Sequence, residues 1–141
     1  MILIIGGMAQ GKLEYVKNNY GIEDKDIFNP DDNCDIFEIG NYKASSDRII
    51  VLNNFNNYIV SCRDKSNDDF DLVDRFIKKY PNAIIITDEV GNGIVPVDKN
   101  ERLLRERIGR IQCALAEKAD EVIRVVCGIG QKIKPDNFRY G

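Results

Sequence analysis

The stretch Met1-Ile2-Leu3-Ile4-Ile5-Gly6-Gly7-Met8-Ala9-Gln10-Gly11-Lys12 decides the fold of this chain. Its β-branched run at residues 2–5 ends at two glycines, which is typical of a buried strand that enters a tight turn. A helix is predicted from Gly11 to about Asn19. The segment between strand and helix has the spacing glycine, four residues, glycine, lysine, and in this context it predicts a phosphate-binding loop.

The chemistry of phosphate binding accounts for the residue types in this loop. Glycines let backbone N–H groups turn towards phosphate oxygens, the positive helix N-terminus adds to their field, and Lys12 can bridge the outer phosphates. The alternative is a glycine-rich turn with an exposed lysine. Magnesium-dependent loops carry Ser or Thr after the lysine as a metal ligand, whereas this chain has Leu13, which cannot ligate a metal. We expect nucleotide to be bound by Gly6, Gly7, Met8, Ala9, Gln10, Gly11, Lys12 and Leu13.

Strands and helices alternate along the rest of the chain. The segment 21–46, rich in Asp, Asn and Gly, is predicted to form loops around one or two short strands such as Cys34–Ile39. Because no two-residue hairpin turn is recognised between the core strands, we expect an α/β fold with a mostly parallel sheet and helices on both faces. The other predicted elements are strands at Arg48–Leu52, Ala83–Thr87 and Glu121–Val126, and helices at Asp68–Lys79 and Lys99–Lys118.

Composition limits the classes of protein to consider. The chain has 141 residues, 43% of them hydrophobic and 30% charged, which fits a single domain over residues 1–141. Its 20 basic and 23 acidic residues give a net charge of −3, so it has no basic field for a nucleic-acid backbone. No stretch approaches the roughly 20 apolar residues of a membrane span, and the opening run lacks a basic leader. We expect a cytoplasmic protein without nucleic-acid or membrane partners.

The counts of histidine and cysteine exclude further chemistry. The chain contains no histidine, so a histidine base, a histidine metal ligand and a phosphohistidine or guanylyl-histidine intermediate are excluded. Its four cysteines, at positions 34, 62, 113 and 127, are spaced too widely for a zinc knuckle or a redox motif. We therefore expect buried structural thiols.

A second informative stretch is Thr87-Asp88-Glu89-Val90-Gly91-Asn92-Gly93-Ile94-Val95-Pro96. A strand that ends in Asp-Glu places carboxylates at the carboxyl edge of a parallel sheet, where open α/β folds bind their ligands. The alternative is a solvated acidic strand end.

The chain resembles the bifunctional adenosylcobinamide kinase / adenosylcobinamide-phosphate guanylyltransferase family of cobalamin biosynthesis. The resemblance implies a RecA-like P-loop NTPase core, a homotrimer, and the use of ATP or GTP with Mg²⁺. It also implies a kinase step on the aminopropanol hydroxyl of a corrinoid, followed by GMP transfer from GTP. It rests on five segments in family order: the strand with its Gly6–Lys12 loop, Thr87–Pro96, Arg102–Arg110, Ala119–Val122 and Gly128–Lys134.

Three features depart from the family pattern. The middle segment, about residues 21–70, is shorter than in the family and lacks the histidine that the family guanylylates. Leu13 replaces the hydroxyl after the lysine, and Asn53 stands where the family has an acidic residue suited to Mg²⁺. Asn53 and Asp88 are the candidate metal ligands. We expect guanylyl transfer to be lost and the kinase step to remain chemically feasible.

The remaining residues suit nucleotide chemistry. Lys12, Asp88 and Glu89 are the candidate catalytic residues. The resemblance makes Arg102 and Arg105 candidates for phosphate or subunit contacts, whereas their spacing alone equally fits a solvated, salt-bridged helix face. The alternative function is a non-catalytic nucleotide- or corrinoid-binding regulatory homologue, and a purely structural interaction module is a third.

Overall fold

The computed structural model describes residues 1–29, 49–61, 69–89 and 98–135. A short 3₁₀ turn, Asp24–Asp26, precedes the second strand. The helices are α1 (Lys12–Tyr20), α2 (Phe55–Ser61), α3 (Asp69–Lys79) and α4 (Lys99–Lys118). The strands are β1 (Ile2–Gly6), β2 (Ile27–Phe28), β3 (Val51–Leu52), β4 (Ile84–Asp88), β5 (Glu121–Val126) and β6 (Ile129–Lys134).

The six strands form one sheet in the order β2-β3-β4-β1-β5-β6. The first five strands in that order run parallel, and β6 is antiparallel to β5. Strand β1 lies between β4 and β5, with Ile4 paired to Ile86 on one side and to Ile123 on the other. The loop that follows β1 therefore opens at the carboxyl edge of the parallel strands, where ligands of open α/β folds bind.

Alternation along β1 and β4 divides the apolar core into two layers. Leu3 and Ile85 lie in the layer formed with α2, α3 and α4, whereas Ile4 and Ile86 lie in the layer formed with α1. Because successive side chains of a strand point to opposite faces, a continuous apolar run is needed to fill both layers. The predicted α/β fold of the P-loop NTPase type, mostly parallel with helices on both faces, is confirmed.

The β5–β6 hairpin is an element that the sequence analysis did not predict. Cys127 and Gly128 have φ angles of 51° and 77°, and this left-handed pair closes a two-residue turn between the strands, as in turns of type I′. Among the described residues, no two-residue hairpin joins the four strands predicted as the core, and this one lies beyond them because β6 was not predicted. Cys-Gly is not one of the Asn-Gly or Asp-Gly pairs that usually signal such a turn, so this hairpin was overlooked.

Helix α2 was also not expected from its asparagine-rich sequence. Phe55, Tyr58 and Ile59 are buried in the same layer as α3 and α4, and their spacing of three and four residues is that of one helix face. Tertiary packing of this face thus outweighs the low helix propensity of asparagine.

The remaining elements lie close to their predicted positions. Helix α4 and strand β5 have the predicted bounds, α1, α3 and β4 are displaced by about one residue, and β3 is confined to Val51–Leu52. The strand predicted at Cys34–Ile39 lies outside the described residues. An ion pair between Lys118 and Asp74 joins α4 to α3, and the hydrogen bond that Lys118 donates to Asp74 raises the pKa of Lys118.

The prediction of buried thiols is wrong for the two described cysteines. Cys113 and Cys127 are exposed, because Cys113 lies on the outer side of α4 and Cys127 lies in the hairpin turn. Cys34 and Cys62 lie outside the described residues. None of the described helices has the length and apolar character needed to cross a lipid bilayer.

Candidate functional site

The glycine loop connects the end of β1 to the start of α1. Gly11 caps α1 with φ at 84° and without a side-chain hydrogen bond to the first-turn N–H groups. Those donors and the positive helix terminus are therefore left for an anionic ligand. A Cβ atom at Gly6 would overlap the carbonyl oxygen of Val125, so glycine is required where β1 approaches β5.

Lys12 lies inside this loop. Lys12 is only 7% exposed. Its Nζ donates to the carbonyl oxygen of Gly7 at 2.6 Å and to that of Gly6 at 3.2 Å. The same Nζ lies 2.6 Å from Oδ1 of Asp88. The alternative of a glycine-rich turn with an exposed lysine is therefore contradicted, since the ammonium group is directed into the loop and paired with a carboxylate.

The two adjacent carboxylates at the end of β4 have different ion-pair partners. Asp88 is paired with Lys12, whereas Glu89 accepts from Nε of Arg124 at 2.7 Å. Glu89 directly follows β4, and its N–H still donates to the carbonyl oxygen of Gly6. The alternation of side chains to opposite faces therefore continues through this residue and separates the two carboxylates. The structure thus brings Asp88 to the glycine loop and holds Glu89 against β5.

Gln112 supports the carboxyl end of β4 from the helical layer opposite the loop. Its Nε2 donates to Oγ1 of Thr87 at 3.0 Å and to the carbonyl oxygen of Asp88 at 2.6 Å. Thr87 is fully buried and Gln112 nearly so. Sequence reasoning missed Gln112, although a glutamine on the apolar face of α4, beside Ile111 and Leu115, was a signal that could have been used.

Asn56 of α2 lies against the same aspartate. Its Oδ1 accepts from the backbone N–H of Asp88 at 3.4 Å, and its Nδ2 lies 3.5 Å from Oδ2. These are long hydrogen bonds. They nevertheless place a neutral amide beside Oδ2 of Asp88, whereas Lys12 pairs with Oδ1. Among the described residues, Lys12 is the cation paired with Asp88.

A cleft of about 230 Å³ runs from the glycine loop to the end of β3. Leu13 contributes an apolar side chain to it, and Asn53 contributes an amide whose Nδ2 donates to Oδ1 of Asn29 at 2.8 Å. Asn54, in the left-handed region with φ at 55°, lies beside them. The lining residues are Met8, Ala9, Gln10, Gly11, Lys12, Leu13, Glu14, Asn53, Asn54 and Asp88.

The donor set of this cleft can be compared with what Mg²⁺ requires. The described residues contain no group of three or more metal-binding side chains. Magnesium in nucleotide sites is held by one or two carboxylates together with phosphates and waters. Asp88 supplies a carboxylate and Asn53 a neutral amide oxygen, so these residues fit an ion held mainly by a nucleotide's phosphates.

Arg102 and Arg105 lie in the first two turns of α4. Both residues are exposed, and neither is among the residues that line the cleft. The backbone N–H of Arg102 belongs to the helix start, where it donates to the carbonyl oxygen of Asp98. The structure therefore does not bring these arginines to the glycine loop, and a role at a subunit contact stays a prediction.

Comparison with known proteins identifies the relatives of this chain. It is 50% identical over 52 residues to the bifunctional adenosylcobalamin biosynthesis protein CobU of Salmonella typhimurium, and 49% identical over 52 residues to that of Escherichia coli. In each case the match covers 37% of this chain and 29% of the relative. The profile of the cobinamide kinase / cobinamide phosphate guanyltransferase family, CobU, matches residues 44–133. On the strength of that match, the chain belongs to the cobinamide kinase / cobinamide phosphate guanyltransferase family.

Proposed function

We propose that this chain binds the phosphates of ATP or GTP at its glycine loop and uses them in a kinase step on a corrinoid alcohol, with guanylyl transfer lost. One observation carries the proposal. Nζ of Lys12 lies 2.6 Å from both the Gly7 carbonyl oxygen and Asp88, inside a loop that ends at an uncapped helix N-terminus. Family membership supports the corrinoid acceptor, and the resemblance of the sequence supports a cytoplasmic homotrimer.

The loop residues act on the phosphates through charge and donors. Backbone N–H groups at the start of α1 donate to phosphate oxygens, and the Lys12 ammonium neutralises the outer phosphates. Bound phosphates would compete with Asp88 for Lys12. Asp88 and Asn53, which line the cleft, would then be the residues available to hold Mg²⁺ through their side-chain oxygens. When bound, Mg²⁺ supplies further neutralisation of the charge on the transferred group.

Phosphoryl transfer demands little covalent chemistry from the protein, because its transition state is loose and is stabilised mainly by positioning and charge. We assign Lys12 and Asp88 to this task. Glu89 forms an ion pair with Arg124 and is not among the residues that line the cleft. We therefore assign it to stabilising the carboxyl edge of the sheet between β4 and β5. This revises the predicted catalytic role of Glu89 to one of positioning.

The loss of guanylyl transfer rests on composition. The family intermediate needs a histidine, and none of the 141 residues is histidine. Incubation with labelled GTP followed by denaturing electrophoresis is expected to leave the protein unlabelled. Stable stoichiometric labelling would show that another nucleophile has taken over.

A second candidate function is non-catalytic binding of nucleotide or corrinoid. It is favoured by Leu13, which lines the cleft where a metal-ligating hydroxyl is needed for phosphoryl transfer. The neutral Asn53 at the end of β3 adds to this case. The two functions differ in one measurable respect, since only the first produces phosphorylated adenosylcobinamide.

The test is calorimetric titration of ATP and GTP, with and without Mg²⁺, combined with a kinase assay on adenosylcobinamide. Lys12→Ala should weaken nucleotide binding at least several-fold. Lys25→Ala is the matched control, because Lys25 forms an exposed pair with Glu23 away from the cleft, and it should bind as the wild type does. Equal affinity of all three proteins would contradict the site, and binding without turnover would support the second function.

A further inference from the structure

The glycine loop is hydrogen-bonded to the β5–β6 turn and is also joined to β4 by the ion pair between Lys12 and Asp88. The side chain of Gln10 accepts from the backbone N–H of Cys127 at 2.8 Å through Oε1. The backbone carbonyl oxygen of Gln10 accepts from the backbone N–H of Gly128 at 2.7 Å. Because a backbone N–H can only donate, the amide atom that faces Cys127 must be the oxygen. Gln10 is thus joined to the turn by both its side chain and its backbone.

The turn is suited to serve as a fixed support. Its two residues both lie in the left-handed region, at φ 51° and 77°, which confines the turn to a narrow range of conformations. A Cβ atom at Gly11 would lie 3.2 Å from Cα of Gly128, so the loop backbone packs directly on the turn. A second contact holds the same surfaces together, since the ring of Tyr15 in α1 lies against Gly130 in β6.

The loop itself needs such a support. Ala9, the residue before Gln10, has φ at 58°, a conformation that is unfavourable for residues with a Cβ atom and that persists only when its surroundings hold it. Lys12 holds the far end of the loop through Asp88. The hydrogen bonds of Gln10 hold its middle, where backbone N–H groups must be directed at the ligand.

We infer that Gln10 is a positioning residue for phosphate binding, which acts by anchoring the loop to the Cys127–Gly128 turn. This inference rests on the proposed function. The ligand class is the polyphosphate of a nucleotide, because the anchored segment presents backbone donors rather than a surface for a base. The contribution of Gln10 to affinity therefore increases from nucleoside monophosphate to triphosphate and is absent for the free nucleoside.

The test compares Gln10→Met, which retains side-chain bulk without the amide, with Gln10→Ala. The control is Gln131→Met, the same change at an exposed position of β6. Calorimetry with adenosine, AMP, ADP and ATP, and with the guanosine series, measures affinity. Amide hydrogen exchange by NMR at Cys127 measures the anchor, and chemical denaturation without nucleotide measures stability.

Both Gln10 variants should bind triphosphate on the order of 3- to 10-fold more weakly, the loss of about one hydrogen bond, and exchange the Cys127 amide faster. The control should match the wild type in both measurements. Faster exchange with unchanged triphosphate affinity would overturn the inference and leave Gln10 a structural contact only. An equal loss in Gln131→Met would also overturn it. Failure of the wild type to bind any nucleotide would instead reject the proposed function, and this inference with it.

Discussion

Asp88 and Glu89 illustrate how single residues acquire different roles in this protein. They have the same charge and adjacent positions, yet one pairs with Lys12 beside the glycine loop and the other with Arg124 across β1. The alternation of side chains along the end of β4 and the residue that follows it separates them. Lys12 in turn depends on Asp88, because an ammonium group with so little exposure is stable only with a charged partner.

Repair of the proposed metal site is the first prediction at this scale. Leu13→Ser introduces a hydroxyl after the lysine, and Asn53→Asp adds a carboxylate of unchanged size at the end of β3. If these two positions limit phosphoryl transfer, the double variant should phosphorylate adenosylcobinamide faster than either single variant, because ligands of one ion act as a unit.

The same assay distinguishes the alternatives. Robust turnover by the wild type would show that Asp88 and neighbouring groups already hold the metal. If no variant that still folds and binds nucleotide shows turnover, the kinase step is rejected and the non-catalytic function is supported. Lys25→Ala again serves as the control for unrelated surface changes.

The second prediction concerns the buried bonds of Gln112. Gln112→Met keeps the volume but removes the donor to Thr87 and to the Asp88 carbonyl oxygen. The free energy of unfolding should fall by about 1–3 kcal/mol, because buried acceptors lose their partner. Thr87→Val removes only one acceptor and should cost less. Urea denaturation of both singles and the double variant measures the coupling; strictly additive effects would contradict a direct bond.

At the scale of elements, the hairpin and α1 form one support for the loop. Strand β6 extends the parallel sheet by an antiparallel edge strand, and α1 packs on it through Tyr15 and Gly130. A long helix, α4, covers the other face and reaches the carboxyl end of β4 through Gln112. The site is thus built where the hairpin, α1, α2 and α4 meet at the loop and at Asp88.

Gly130 gives the prediction at this scale. A methyl group there would overlap the Tyr15 ring, so Gly130→Ala should push α1 away from β6 and lower the free energy of unfolding by about 1–3 kcal/mol, as overpacking does. Tyr15→Leu in the same chain should recover part of the loss. Thermal and urea denaturation measure both effects, and Gln131→Ala on the same strand is the control. An unaffected Gly130→Ala protein would show that the ring has room to move.

For the whole molecule, one sheet with two apolar layers joins every described element. Leu3 and Ile4 of the central strand each belong to a different layer, so neither layer can be lost without exposing β1. This continuity supports the prediction that residues 1–141 form a single domain. A domain of this size is expected to unfold in one cooperative transition.

The whole-molecule prediction follows from that coupling. Thermal denaturation should show a single transition, and nucleoside triphosphate at about 100 times its dissociation constant should stabilise the fold by about 2.7 kcal/mol. Lys12→Ala should keep the single transition but lose most of the nucleotide-dependent shift. Two separate transitions in the wild type would contradict a single domain.

The sequence by itself determined the elements whose signal is local. The β-branched run into Gly6-Gly7, the periodic apolar residues of α4 and the strand Glu121–Val126 indicated the α/β class and the phosphate loop. Only the tertiary structure decided which side chains meet: Asp88 rather than Glu89 at Lys12, Gln10 at the Cys127–Gly128 turn, and Gln112 under β4. It also decided that α2 forms, because the apolar face of α2 packs in one layer with α3 and α4. The physical reason is that helix and strand periodicity is encoded by neighbours in sequence, whereas these contacts join residues from 24 to 117 positions apart and depend on register and packing that no local pattern carries.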